Sequence, residues 1–183
     1  SMNDRIRAIF RTAVGPVIIL VTLIAMLAVT WRTWPEPIVD FGRELYVPWQ
    51  LSQGKVLYRD IAYFNGPLSP YFNSLVFRVL GVGMMSLAAV NIAIFICILA
   101  MMYWLAARMS DRFTATIACC AFVLLLGVGQ PGAVGNYNYI TPYSHEMTHG
   151  LALSLAAMCA LVKFDQTRKR SWILTCGALV GLV

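Results

Sequence analysis

The chain has 183 residues, of which 60% are hydrophobic and only 12% charged, with a formal net charge of +6. That composition excludes an ordinary water-soluble domain, while its mean hydropathy of +0.72 and long uncharged runs suit a bilayer. The basic excess does not read as nucleic-acid binding, because the cations sit mostly at the ends of apolar runs and form no dense stripe.

Arg5, Arg7 and Arg11 precede an uncharged run over residues 12–31, about the 20 residues that one helix needs to cross the hydrocarbon core. A cleaved signal peptide has the same basic start, but the run is long for one and more spans follow, so an uncleaved first span is expected. Residues 32–81 then form the longest polar stretch of the chain, holding four of its eight acidic residues: Glu36, Asp40, Glu44 and Asp60. A second span is expected over 82–107, closed by a basic turn at Arg108 to Arg112. A third covers 113–128 and is ended by the glycines and proline of a second polar loop, 129–143. Ser144, two residues after Pro142, is a good N-cap for a fourth span over 144–162. That start puts His145, Glu146 and His149 in its first turns, at the membrane surface. Lys163 to Arg170 is the next basic loop, and 171–183 begins a fifth span that the sequence leaves incomplete, as expected for the N-terminal part of a longer membrane protein.

The expected fold is therefore an all-α integral membrane protein with about five transmembrane helices and two juxtamembrane helices in the first outer loop. Lys and Arg cluster at the N-terminus and in the second and fourth connections, whereas the loop at 129–143 has none. The positive-inside rule then puts the N-terminus in the cytoplasm and both polar loops on the outer face. Five cysteines (Cys97, Cys119, Cys120, Cys159, Cys176) lie in apolar runs without C-x-x-C spacing and read as small buried hydrophobes.

Within the first loop, Asp40 is a candidate N-cap of a short helix running to about Gln53, with Gly54 as its left-handed stop. Pro48 removes one of that helix's hydrogen bonds, and Asp40 and Glu44, four apart, share a face. Tyr58-Arg59-Asp60 and Asn65-Gly66 are turn formers with a cation among aromatics, suited to holding a phosphate. Ser69-Pro70 is expected to start a second helix, whose Phe72, Leu75, Val76, Val79 and Leu80 form an apolar stripe with Asn73, Ser74 and Arg78 on other faces. Such a helix lies in the membrane interface.

The order Asp40, Gly54, Leu57-Tyr58-Arg59-Asp60, Gly66-Pro67-Leu68 and a helix to Gly81 resembles the first outer loop of the GT-C membrane glycosyltransferases, the superfamily of the protein O-mannosyltransferases and the lipid A aminoarabinose transferase. The likeness covers roughly residues 31–81 and departs at Phe41, where the second acid of the usual pair would stand; Glu44 comes a turn later. It implies an inverting sugar transfer from a polyprenyl-phosphate carrier to a hydroxyl acceptor (glycan, lipid or protein) at the outer face of a bacterial inner membrane. In that scheme Asp40 is the base that deprotonates the acceptor. Glu44, Tyr58, Arg59, Asp60, Asn65, His145 and His149 are the residues for substrate contact, with Arg59 and the two histidines facing the leaving phosphate.

His145-Glu-Met-Thr-His149 is also a literal H-E-x-x-H, the zinc-protease signature, in which His145 and His149 hold the metal and Glu146 activates water. A zincin places this motif well inside a helix, and here Pro142 and Ser144 put it at the start. No cofactor is required by the transferase pattern, and a divalent cation held by these three residues is the one it allows. A membrane zinc peptidase and a non-catalytic helical subunit are the competing readings.

Overall fold

A computed structural model describes residues 2–34, 41–128 and 137–183, with side chains from Ala13 onward. Seven α-helices account for most of them: α1 (Met2–Val29), α2 (Phe41–Ser52), α3 (Leu68–Leu80), α4 (Met84–Met109), α5 (Arg112–Phe122), α6 (His145–Thr167) and α7 (Arg170–Leu182). No strand occurs among the described residues; Leu57 and Ile61 form one isolated bridge. The fold is all-α.

The helices α4 and α6 are long and apolar enough to cross a membrane. The other apolar segments among the described residues, Ala13–Val29, Arg112–Gly127 and Arg170–Leu182, are 10–17 residues long. Five spans were expected; among the described residues two helices have both the length and the apolar composition. The helix α6 runs five residues past the expected end at 162, because Lys163 and Gln166 are good helix formers, and it stops where Arg168 turns left-handed at φ 54°.

α1 packs on α5, α5 on α4, α4 on α6 and α6 on α7. The short pair α2 and α3 pack on each other, and α3 reaches both α4 and α6. Asp111 starts α5 as its N-cap, accepting from the backbone N–H of Phe113 at 2.8 Å and of Thr114 at 2.9 Å. Those bonds, the one from Thr114 first, hold its carboxyl below the usual carboxylate range. At its other end α5 widens into a π-helical turn, Val123–Gly127. The ring of Phe95, fully buried, stacks on Tyr139 at 5.3 Å and meets Phe122 at 5.7 Å. Gly127 fits beside it only because it has no side chain: a Cβ there would sit 2.3 Å from the Phe95 ring. The Gly127 carbonyl accepts from the Tyr139 N–H at 2.8 Å, which ties the second polar segment to the end of α5.

The helix α2 ends as expected, at Gly54 with φ +94°. The start of α3 differs from expectation. Pro67 precedes its first residue, so Ser69 and Pro70 lie inside the first turn. Pro70 is tolerated there because first-turn N–H groups have no helical partner to lose. Asn73 and Ser74 point inward and are buried, whereas Leu75, Val79 and Leu80 are exposed. Val76 departs from the expected stripe and, with Phe77, packs on Phe41 and Leu87.

Candidate functional site

The start of α6 meets α2, α3 and α4 in a buried polar cluster. Asn91 carries the only amide in the otherwise apolar α4, and an amide in such surroundings needs partners. Its Nδ2 donates to the Ile140 carbonyl at 3.0 Å and lies 2.9 Å from Nε2 of His145. On the other side of that ring, Nδ1 of His145 lies 2.7 Å from Glu44 Oε2. The two contacts assign the tautomer: Nε2 accepts from the amide and Nδ1–H donates to the carboxylate. Glu44 also takes Arg43 Nη2 at 2.9 Å and Nε at 3.2 Å, while the same guanidinium donates to the Tyr143 carbonyl at 3.2 Å. Burial, the largest single influence on Arg43, pulls its pKa down, but the bonds and charge of Glu44 together carry it above the ordinary value.

His145 is in the first turn of α6, as expected, but its side chain is not open to solvent. The ring is fully buried and Glu44 is 3% exposed, because α2 covers the first turn of α6. Ser144 is the N-cap position, as expected, but its hydroxyl does not cap the helix; it donates to Glu146 Oε2 at 2.9 Å. The other Glu146 oxygen accepts from the Tyr63 hydroxyl. Burial first and this bond second push the Tyr63 phenol pKa up, so it stays protonated and donates. His149, one turn further on, has Nδ1 2.8 Å from Ser69 Oγ and its ring edge-on to Phe72 at 5.2 Å. Its Nε2 is buried with no partner among the described residues. Below it, Thr148 bonds Tyr137.

The metal assignment to His145, Glu146 and His149 is not supported by this geometry. Both nitrogens of His145 and both oxygens of Glu146 already have protein partners, and the two imidazole centroids are 5.9 Å apart. Among the described residues no group of three or more His, Cys, Asp or Glu side chains could hold a metal ion. The spacing of a zinc protease is present without its donor set.

The turn proposed for phosphate closes on itself. Asp60 takes Arg59 at 2.9 Å and the Val56 N–H at 2.8 Å. The side-chain bond from Arg59, then that backbone bond, holds the Asp60 carboxyl at about 2. Arg59 pairs with its neighbour through Nε and Nη2, with its side chain 71% exposed. Tyr58, at φ +66°, donates to the Asn65 carbonyl at 2.5 Å. Among the described residues, no hydrogen bond or ion pair joins Tyr58, Arg59, Asp60 or Asn65 to the His145 cluster. Asp40, the expected base, lies outside the described residues. The next residue, Phe41, is buried with its ring 6.2 Å from that of His145.

Residues missed by sequence reasoning complete the cluster: Arg43, Tyr63, Ser69, Asn91 and Asn138. Asn138 folds the second segment back, accepting from the N–H groups of Ile140 at 3.0 Å and Thr141 at 2.7 Å while donating to the Trp34 carbonyl at 3.1 Å. A cavity of about 680 Å³ opens beside the cluster, between α3, α6 and the end of α7, with Ser69, Glu146 and His149 in its wall. No family model, curated protein or solved structure matches the chain.

Proposed function

We propose that the chain takes part in transferring a sugar, with inversion, from a polyprenyl-phosphate carrier to a hydroxyl acceptor at the outer face of a bacterial inner membrane. Asp40 is the base in this reading, α4 and α6 are spans, and α1, α5 and α7 complete the membrane bundle. The observation that carries it is the Glu44–His145 pair at 2.7 Å. It clips the helix that directly follows Asp40 onto the start of α6, joining residues 101 positions apart and setting α2 against the end of the second polar segment beside a cavity. Two polar loops on one face with an acid at the head of the first are what the glycosyltransferase resemblance requires.

Glu44 serves this reading as a positioning residue. Its carboxylate fixes the His145 ring and, through it, the start of α6. With both ring nitrogens engaged, His145 is no free base, which agrees with a base elsewhere, Asp40 in this reading. The test is the stereochemistry of the product. Membranes containing the native protein are incubated with a radiolabelled polyprenyl-phosphate sugar, and the anomeric configuration of the transferred sugar is read by NMR. Transfer with inverted configuration supports the reading. A product of retained configuration, or no transfer from any lipid-linked donor, overturns it.

A further inference from the structure

The cavity beside the cluster has a definite chemistry. Its volume of about 680 Å³ falls within the range of small-molecule sites. Phe72 and Leu75 from α3 and Leu153 from α6 make its walls largely apolar. Leu75 belongs also to the exposed apolar stripe that continues through Val79 and Leu80, so the apolar surface runs unbroken out of the cavity along α3. One end is polar. There His149, 93% buried by its 7% exposure, has an Nε2 without a partner among the described residues, and Glu146 lines the same cavity.

Charge decides what kind of head group fits. Among the described residues, neither Lys nor Arg lines the cavity. Glu146 brings a negative charge whose two oxygens are already bonded to Tyr63 and Ser144, so it repels an anion without needing a ligand of its own. A phosphate here would share the cavity with that carboxylate and meet no Lys or Arg in its wall; Arg43, the cation that feels Glu146, is itself bonded to Glu44. A hydroxyl meets His149 in either tautomer: it accepts if Ser69 donates to Nδ1, and donates if Ser69 accepts. We propose that this cavity binds a neutral amphiphile through a hydroxyl group, the hydroxyl bonded to Nε2 of His149 and the apolar body laid along Phe72, Leu75 and Leu153. The sequence-based expectation that His149 contacts a phosphate is replaced by this assignment. The site stands on the cavity alone; within the transferase reading its occupant is the acceptor, held by a hydroxyl other than the one that Asp40 deprotonates, and the phosphate of the donor binds elsewhere.

The experiment uses two photoreactive probes of equal chain length in detergent micelles, a diazirine-bearing fatty alcohol and its phosphate monoester, with cross-linked peptides mapped by mass spectrometry. The alcohol should label α3 and the first half of α6 saturably, and its phosphate ester at least about ten-fold less. His149→Phe keeps the ring but loses the hydrogen bond, and should weaken alcohol labelling about five-fold. Leu153→Trp fills the cavity without touching the polar cluster and should abolish labelling; it carries the test if His149→Phe fails to fold. Equal or stronger labelling by the phosphate ester overturns the proposal, as does labelling by neither probe or labelling unchanged in Leu153→Trp. Because binding rather than transfer is read, failure here is distinct from failure of the transferase reading.

Discussion

Replacing Glu44 with alanine isolates the contact on which the polar end of the bundle depends. The substitution removes the acceptor of His145 Nδ1–H at 2.7 Å and of Arg43 at 2.9 Å. The two losses differ in kind. The Arg43 side chain is 41% exposed and keeps the Tyr143 carbonyl, so water replaces Glu44 there and the cost stays below about 1 kcal/mol. His145 is fully buried, and its donor has nowhere else to turn. A buried donor left unmatched costs about 1–3 kcal/mol, and the space left by the side chain adds about 1 kcal/mol. The expected loss is about 2–4 kcal/mol, which in a chain of this length lowers Tm by roughly 10 °C. Thermal unfolding in detergent, followed by circular dichroism, reads it. Glu44→Gln keeps the shape and one acceptor oxygen and should lose only about 1 kcal/mol. In a His145→Phe background the unmatched donor is absent, so most of the penalty of Glu44→Ala should vanish. A Glu44→Ala protein within about 0.5 kcal/mol of the parent, or an undiminished penalty in the His145→Phe background, would refute the argument.

Gly127→Ala forces a Cβ to within 2.3 Å of the buried Phe95 ring and should destabilise the protein by about 1–3 kcal/mol, again seen as a lower Tm; an unchanged Tm would contradict the packing of the π turn on α4. Asp60 titrates in the turn at about 2 against an ordinary 3.8, a depressed carboxylate, so the order it gives is present above pH 4 and lost as pH falls through 2. Amide exchange at Val56 should accelerate over that acid interval and, at neutral pH, in Asp60→Asn; protection indifferent to both changes would remove Asp60 from the turn.

The local features of this fold were legible and the long-range ones were not. Gly54 announces the end of α2, because only a residue without a side chain takes φ +94° at no cost. Ser144 marks the start of α6, since Pro142 and a small polar residue precede an apolar run. The burial of His145 was hidden for the opposite reason. Its partner Glu44 is 101 positions away, and no periodicity within α2 or α6 records a contact between them. Asn91 did leave a signal, an amide inside a helix with no charge before Arg108, but that signal names a need for a partner and not the partner. Arg59 was expected near a phosphate, and the sequence did not show that its first partner is the next residue, Asp60. The H-E-x-x-H spacing misled because spacing puts two rings on one face but says nothing of which nitrogens remain free.

Sugar transfer by Asp40→Asn tests the central claim most directly. The variant keeps size and hydrogen-bonding capacity while removing the base, so its Tm should match the parent's within about 2 °C. Transfer of labelled sugar from a polyprenyl-phosphate donor should fall by at least about 100-fold. Full transfer by a folded Asp40→Asn protein would contradict the account.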